Sequence, residues 1–257
     1  MALEKKLCVD CGKDHGQVGW IEPYRDGTRV LLISYPKSGT NLLLQYIKGA
    51  VHIRPHVARY WNDANPDIDE AICQLKRFPD LAFAHLPYKK IIEEAINHHP
   101  TRTLFLYRDP RDVIVSHLHY VERLTKIGGQ AFGDGMSLLK RPDPISYLIK
   151  ETPKRWFFFT PWLERDYIHQ FRFEDFITNE NATVRKLIEV FRGTNAENRI
   201  AELAWNETSV MARNRPEESA TFRKGIVGDW RNHFQPHHIQ EFEQTCSDLM
   251  EKLGYEL

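Results

Sequence analysis

The chain is poor in the features that mark secreted, membrane-spanning or nucleic-acid-binding proteins. Four cysteines in 257 residues are too few for a disulfide-stapled scaffold. No apolar run approaches the roughly 18–20 residues that a helix needs to cross a bilayer. The first residues, Met1-Ala2-Leu3-Glu4-Lys5-Lys6, lack the apolar stretch of a signal peptide. Excess charge of one sign is also missing, since 35 Lys and Arg balance 35 Asp and Glu. That argues against nucleic acid or an anionic membrane as partner, and any anion site has to be a local arrangement. There is no internal repeat. What is present is ordinary for a globular chain, 42% hydrophobic and 27% charged residues, at a length that suits one α/β domain with a substantial core. The expectation is a soluble, cytoplasmic protein.

The strongest local signal lies between Arg29 and Leu44. Arg29-Val30-Leu31-Leu32-Ile33-Ser34 reads as a buried strand, Tyr35-Pro36-Lys37-Ser38-Gly39-Thr40 as a tight loop, and Asn41 to Ile47 as a mostly buried helix. Backbone N–H groups in such a loop and in the first helical turn converge on one spot, which the helix dipole makes favourable for an anion. Lys37 adds charge, and Ser38 and Thr40 add hydroxyl donors. This is a phosphate cradle, but not the G-x-x-x-x-G-K-[ST] loop of nucleoside triphosphatases: Tyr35 stands where the first Gly would be, and Lys37 precedes Ser38-Gly39. The bland alternative is a strand-to-helix turn with a solvated Lys.

Further strands are expected at Leu81–His85, Thr103–Tyr107 and Ile168–Phe173, and helices at 65–78, 88–96, 113–124, 181–192, 196–206 and 236–253. Residues 144–165 read as helical in two pieces broken at Pro153. The Gly-rich stretch 127–142 reads as a mobile loop. The aromatics Trp156 to Phe159 and Trp162 suit a core. Residues 1–28 form an irregular N-terminal segment, and 29–257 form one α/β domain with a mainly parallel sheet of four to five strands flanked by helices. Cys8, Cys11 and His15 make half of a zinc knuckle, with Cys73 far along the chain.

Two more positions carry chemistry. His85 ends a predicted strand, where ligands of α/β sheets gather. Arg108 ends the next one, and Ser116 follows it on the ensuing helix, a spacing that can place a guanidinium and a hydroxyl around one phosphate. The alternative is a surface salt bridge from Arg108 to Asp109 or Asp112. His117 and His119 are turned elsewhere by helix geometry.

Four stretches, in order, resemble the cytosolic sulfotransferase family, whose members transfer a sulfuryl group from 3′-phosphoadenosine 5′-phosphosulfate. Tyr35-Pro36-Lys37-Ser38-Gly39-Thr40 is similar to the phosphosulfate loop, and His85-Leu86-Pro87 to the segment with the catalytic histidine. Arg108 to Ser116 is similar to the 3′-phosphate segment, and Arg223-Lys224-Gly225-Ile226-Val227-Gly228-Asp229-Trp230 to the C-terminal motif that closes over that phosphate. The resemblance implies His85 as general base and Lys37 as the cation at the leaving phosphate. It implies Lys37, Ser38, Gly39, Thr40, Asn41, Arg108, Ser116, Phe173, Thr208, Arg223, Lys224 and Gly225 as donor-binding residues. It also implies a small-molecule acceptor and no required metal.

The chain departs from the family pattern at Leu42 and Val210, where aromatic residues usually clamp adenine. Phe173 stands for a Tyr near the purine, and Phe83 for a Lys two residues before the catalytic histidine. Gln235-Pro236 and Gln240 do not match the family's dimerisation motif, so monomer or dimer stays open and the acceptor unread. Three alternatives compete with this reading. One is a nucleotide or small-molecule kinase, which wants a magnesium-binding Asp at a strand end. The others are a non-catalytic protein that binds the bisphosphate nucleotide and a zinc-knuckle nucleic-acid binder.

Overall fold

The fold described here is that of a computed structural model, which describes residues 29–51, 58–60, 81–98, 101–126, 135–192 and 225–257. The N-terminal Cys8, Cys11 and His15, the expected helices at 65–78 and 196–206, and Thr208, Val210, Arg223 and Lys224 lie outside these residues. The strands are β1 (Arg29–Ser34), β2 (Ala58–Tyr60), β3 (Leu81–Ala84), β4 (Thr101–Tyr107) and β5 (Ile168–Arg172). They form one sheet of order β2-β3-β1-β4-β5, parallel at every pairing.

Such a sheet has to be covered on both faces, and the apolar runs of β1 and β4 supply both. Val30, Leu32, Leu104, Leu106 and Phe171 pack on one side with Leu43 and Ile47 of α1 (Thr40–Val51) and Leu187 and Ile188 of α7 (Glu180–Arg192). Leu31, Ile33, Phe105 and Tyr107 pack on the other, against α2 (Lys90–Asn97), α5 (Pro144–Phe157) and α8 (Pro236–Leu253). A third cluster joins α5 and α8 to α3 (Pro110–Lys126), α4 (Gly135–Leu139) and a 3-10 turn at Asp229–Asn232. The remaining helix, α6 (Phe173–Thr178), follows β5 directly. The parallel α/β architecture is the one the sequence predicts.

Several local expectations are corrected. Pro153 does not break α5, which runs on to Phe157, and the interruption comes before a separate 3-10 turn at Thr160–Glu164. A proline leaves the carbonyl four residues earlier without its helical donor. Here that carbonyl belongs to Ile149, and the Cys246 thiol of α8 reaches it at 3.9 Å. Within the expected loop 127–142, residues 135–139 are helical, and Leu138 is fully buried in the third cluster. Phe173 opens α6 and does not extend β5, and β4 starts two residues early, at Thr101. Of the aromatic group, Trp156, Phe159 and Trp162 are core, whereas Phe157 and Phe158 are 70% and 55% exposed.

Candidate active site at the carboxyl ends of three strands

The central strand sets the geometry. After Ser34 the chain turns, with the Ser38 N–H donating to the Tyr35 carbonyl at 3.2 Å, and α1 begins at Thr40. The Tyr35 ring anchors this turn by stacking on Trp156 with centroids 3.8 Å apart. Lys37 adopts a φ of 70°, the one positive φ of a non-glycine among the described residues. Left-handed backbone costs a β-carbon-bearing residue about 1–3 kcal/mol and is kept where the surroundings impose it. Gly39 has a φ of 96°, and a β-carbon there would lie 2.6 Å from Cδ2 of Phe173. Only glycine lets the loop close onto that ring. No acidic side chain occupies the first turn of α1, so the positive end of its dipole is unopposed. Ser38 is fully buried and its Oγ has no hydrogen-bond partner, although an unsatisfied buried hydroxyl is costly. A buried donor facing a cradle of backbone N–H groups fits a bound anion.

Lys37 and His85 flank this cradle. Burial, and then the nearby charge of Arg108, lower the Lys37 pKa to about 8, so its ammonium is still mostly charged at neutral pH. Its Nζ stands 3.9 Å over the Tyr120 ring of α3. The parallel register of β1 and β3 pairs Ile33 with Ala84, which brings the next residues, Ser34 and His85, together. His85 Nδ1 lies 2.9 Å from the Ser34 carbonyl and 3.1 Å from Ser34 Oγ. A carbonyl only accepts, so Nδ1 carries the proton and the lone pair resides on Nε2. Burial lowers the His85 pKa, the Ser34 bond raises it and the Lys37 charge lowers it, with a net shift downwards. The imidazole is therefore neutral near pH 7. Ser34 Oγ also meets Thr40 Oγ1 at 2.7 Å, joining base and cradle through one hydroxyl.

Arg108 closes the third side. It is buried, and its Nη2 donates to Asp112 at 3.2 Å and to the Ile226 carbonyl at 2.8 Å. Asp112 in turn accepts from the backbone N–H groups of Gly228 at 2.8 Å and Trp230 at 3.0 Å. Phe173 sits between the two halves, with Arg108 Cζ 4.0 Å above its ring and Gly39 against its edge. Arg108 Nε is buried without a partner, a second donor suited to an anion. The expected alternative of a surface salt bridge is corrected: the Arg108–Asp112 pair is interior, and Asp109 is bound at two points by Arg111, with contacts of 2.8–3.2 Å. The buried end of β4 has no room for solvated pairs.

The structure thus brings together Lys37, Ser38, Gly39, Thr40, His85, Arg108 and Phe173, with Gly225 leading into the segment that Arg108 holds. Asn41 is exposed at the start of α1. Ser116 is half-buried one turn beyond Asp112 on α3. Leu42 packs partly against the first core cluster. Sequence reasoning missed Ser34 and Tyr120, and named Asp112 only as a surface partner of Arg108. For Ser34 the signal was a hydroxyl ending an otherwise apolar strand. Tyr120 gave no local signal.

Among the described residues, Asp143, His237 and His238 form the one group with metal-ligand character. Both imidazole Nε2 atoms meet Asp143 Oδ2, at 3.0 and 2.8 Å. His238 Nδ1 accepts the Gln235 backbone N–H at 3.0 Å, so its proton is on Nε2. A ligating imidazole has the opposite polarity, with its other nitrogen donating. The group acts as a cap that joins the starts of α5 and α8.

Comparison with known proteins agrees with this fold. Sulfotransferase 2A1 of Rattus norvegicus is 24% identical over 254 residues, covering 86% of this chain and 84% of the relative. Mouse sulfotransferase SULT7A1, solved in complex with PAP, shares the fold with a TM-score of 0.62 at 20% identity, over 87% of this chain and 84% of that one. Retinol dehydratase, solved with androsterone and inactive cofactor PAP, does so with a TM-score of 0.54 at 16% identity, over 89% and 82%. The sulfotransferase domain model matches residues 27–254. With that match spanning nearly the whole chain, and the cradle, His85 and Arg108 gathered at one sheet edge, the protein belongs to the sulfotransferase family.

Proposed function

We propose that this protein transfers a sulfuryl group from 3′-phosphoadenosine 5′-phosphosulfate to a hydroxyl, or an amine, of a small-molecule acceptor. The observation that supports this most is the convergence of a neutral imidazole, a half-buried lysine and a buried arginine at the carboxyl ends of β3, β1 and β4. In this reading the loop amides, Ser38 and Thr40 hold the 5′-phosphosulfate. Arg108, Ser116, Arg223, Lys224 and Gly225 hold the 3′-phosphate, while Asn41, Phe173 and Thr208 lie along the nucleotide. The donor supplies the sulfuryl group and an adenosine bisphosphate leaving group. His85 Nε2 takes the proton of the attacking acceptor oxygen. Lys37 places its charge where the leaving phosphate gains its own. None of these roles calls for a metal.

The domain so defined is 29–257, preceded by the segment 1–28, and we place its action in the cytoplasm. No helix among the described residues is long and apolar enough to cross a membrane. A kinase reading finds less support. The two carboxylates nearest the end of β4, Asp109 and Asp112, are engaged by Arg111 and Arg108, and the loop order is not that of a triphosphate cradle.

Thermal unfolding tests the reading. Adenosine 3′,5′-bisphosphate at about 100 times its Kd adds ~2.7 kcal/mol. That should raise Tm by several degrees, at roughly 2–4 °C per kcal/mol for a domain of this size. Stabilisation by ATP and magnesium but not by the bisphosphate would overturn the proposal. Sulfated-donor turnover against a panel of phenols, alcohols and amines separates an enzyme from a passive binder. His85→Ala should lower kcat by about 10²–10⁴ with bisphosphate affinity unchanged.

A further inference from the structure

His85 occupies an awkward place for a catalytic base. It lies just beyond β3, in the irregular segment 85–89 that separates the strand from α2. Its ring is tied to Ser34, and the backbone that carries the ring lies outside both the strand and the helix. A distant part of the chain, residues 158–167, supports the segment that follows it. The indole N–H of Trp162 donates to the carbonyl of Leu86, the residue next to His85, at 2.9 Å. Both Trp162 and Leu86 are buried. The Tyr88 N–H donates to the Phe158 carbonyl at 2.6 Å. The Tyr88 ring meets the Trp162 ring edge-on, with centroids 5.0 Å apart.

A charged network secures the far end of the same segment. The Tyr88 hydroxyl donates to Glu93 of α2 at 2.6 Å and accepts from Arg165 at 2.7 Å. Arg165 Nε donates to the other Glu93 oxygen at 2.6 Å, and the Tyr167 hydroxyl joins that oxygen at 3.1 Å. The members hold one another: Arg165 favours the ionised form of Glu93, while the carboxylate raises the pKa of both phenols. Both carboxylate oxygens are thus used within the network. It fixes where residues 86–88 lie relative to β5 and the 3-10 turn.

We propose that Trp162 is a positioning residue for His85, with Tyr88 and its Glu93–Arg165–Tyr167 network as the second half of the same clamp. Trp162 satisfies a buried carbonyl one residue from the base and packs on the residue two further along. It therefore sets the height at which the imidazole stands over the cradle. The hydrogen bonds of Trp162 and Tyr88 go to the segment that carries His85 and to its own support, so the clamp acts on proton transfer ahead of donor binding. This inference rests on the assignment of His85 as the base.

The test is Trp162→Phe, which keeps an aromatic ring but removes the N–H donor together with the fused five-membered ring, with Tyr88→Phe as a milder second variant that removes one hydroxyl and keeps the edge-on ring contact. Misplacing a catalytic group by about 1 Å costs up to roughly 10²-fold. We expect kcat to fall about 10- to 100-fold in Trp162→Phe and less in Tyr88→Phe, with the bisphosphate Kd within twofold of the parent. The acid limb of the kcat–pH profile should also move. A structural role alone would leave that limb in place, and an unchanged limb together with unchanged kcat overturns the proposal. A parallel loss of kcat and bisphosphate affinity overturns it too, because it signals general loosening. Imidazole ¹⁵N spectra of the folded protein read the clamp without turnover. The parent should show His85 as the Nδ1–H tautomer, and Trp162→Phe should show exchange or a mixture. If the spectra change while the parent transfers no sulfuryl group, the positioning stands and the proposed reaction falls. Unchanged spectra in both variants sink the clamp.

Discussion

The phosphate cradle and the Arg108 site face one another across Phe173, yet they are built by opposite means. The cradle is local. Residues 34–40 supply its hydroxyls, its lysine and its two left-handed backbone positions, and its driving force is a set of amide dipoles that need no counter-charge. The Arg108 site is assembled from distant pieces. Its guanidinium is balanced by Asp112, which simultaneously grips Gly228 and Trp230 across 116 and 118 positions of sequence. A loop of dipoles stores its cost as backbone strain at Lys37, while Gly39 takes its positive φ freely. A buried ion pair carries its cost as desolvation, repaid only while every hydrogen bond is in place. In the proposed function the first arrangement would meet an anion through local groups alone. The second would couple anion binding to the docking of the C-terminal segment, because one carboxylate orients both.

That contrast predicts different failures. The largest effect is expected for Asp112→Ala, which strands a buried guanidinium and two backbone N–H groups. Loss of one partner of a buried pair costs roughly 3–5 kcal/mol, so Tm should drop on the order of 10 °C, measured by calorimetry. A drop of only a degree or two would mean that solvent already reaches Arg108. Next comes Gly39→Ala. It introduces a β-carbon at 2.6 Å from Phe173 and at a φ of 96°, which should cost about 1–3 kcal/mol and abolish bisphosphate-induced stabilisation. Retained stabilisation would show that the loop shifts freely away from Phe173.

Arg108→Lys keeps the charge and loses the guanidinium, whose Nη2 bridges Asp112 and Ile226 and whose Nε has no partner. About tenfold weaker bisphosphate binding is expected, with Tm lowered less than in Asp112→Ala; titration calorimetry checks both.

The smallest effect separates the two regions by pH. Lys37 titrates at about 8 because burial and Arg108 disfavour its charge. It is protonated below that value and neutral above it. Bisphosphate affinity should therefore fall as pH rises through 8, by about tenfold between pH 7 and 9 if the ammonium is required. Lys37→Met should remove most of this dependence and Arg108→Lys should leave it. In turnover the lowered His85 pKa acts on the other side, so the acid limb lies below the ordinary imidazole range.

The strand, turn and helix from Arg29 to Val51 were legible in advance because apolar run, breaker residues and helix are contiguous, and local chemistry is written in local order. So was the position of His85, just past the end of β3. The course of α5 was not, because whether Pro153 breaks a helix depends on what meets the abandoned carbonyl of Ile149, and Cys246 lies almost a hundred positions away. Neither was Leu138, which is buried in the third cluster on the short helix 135–139.

By itself, then, the order of residues determined the parallel α/β class, the strand–turn–helix proposed to hold an anion and the place of the candidate base, since hydrophobic period, turn chemistry and residue type act over a few positions. The tertiary structure alone decided that Ser34 aligns that base, that Asp112 ties Arg108 to the C-terminal segment, and that Phe173 requires Gly39. Each of these is a contact between strands or across a sheet edge, and the register and packing that create it arise only when distant segments share one core.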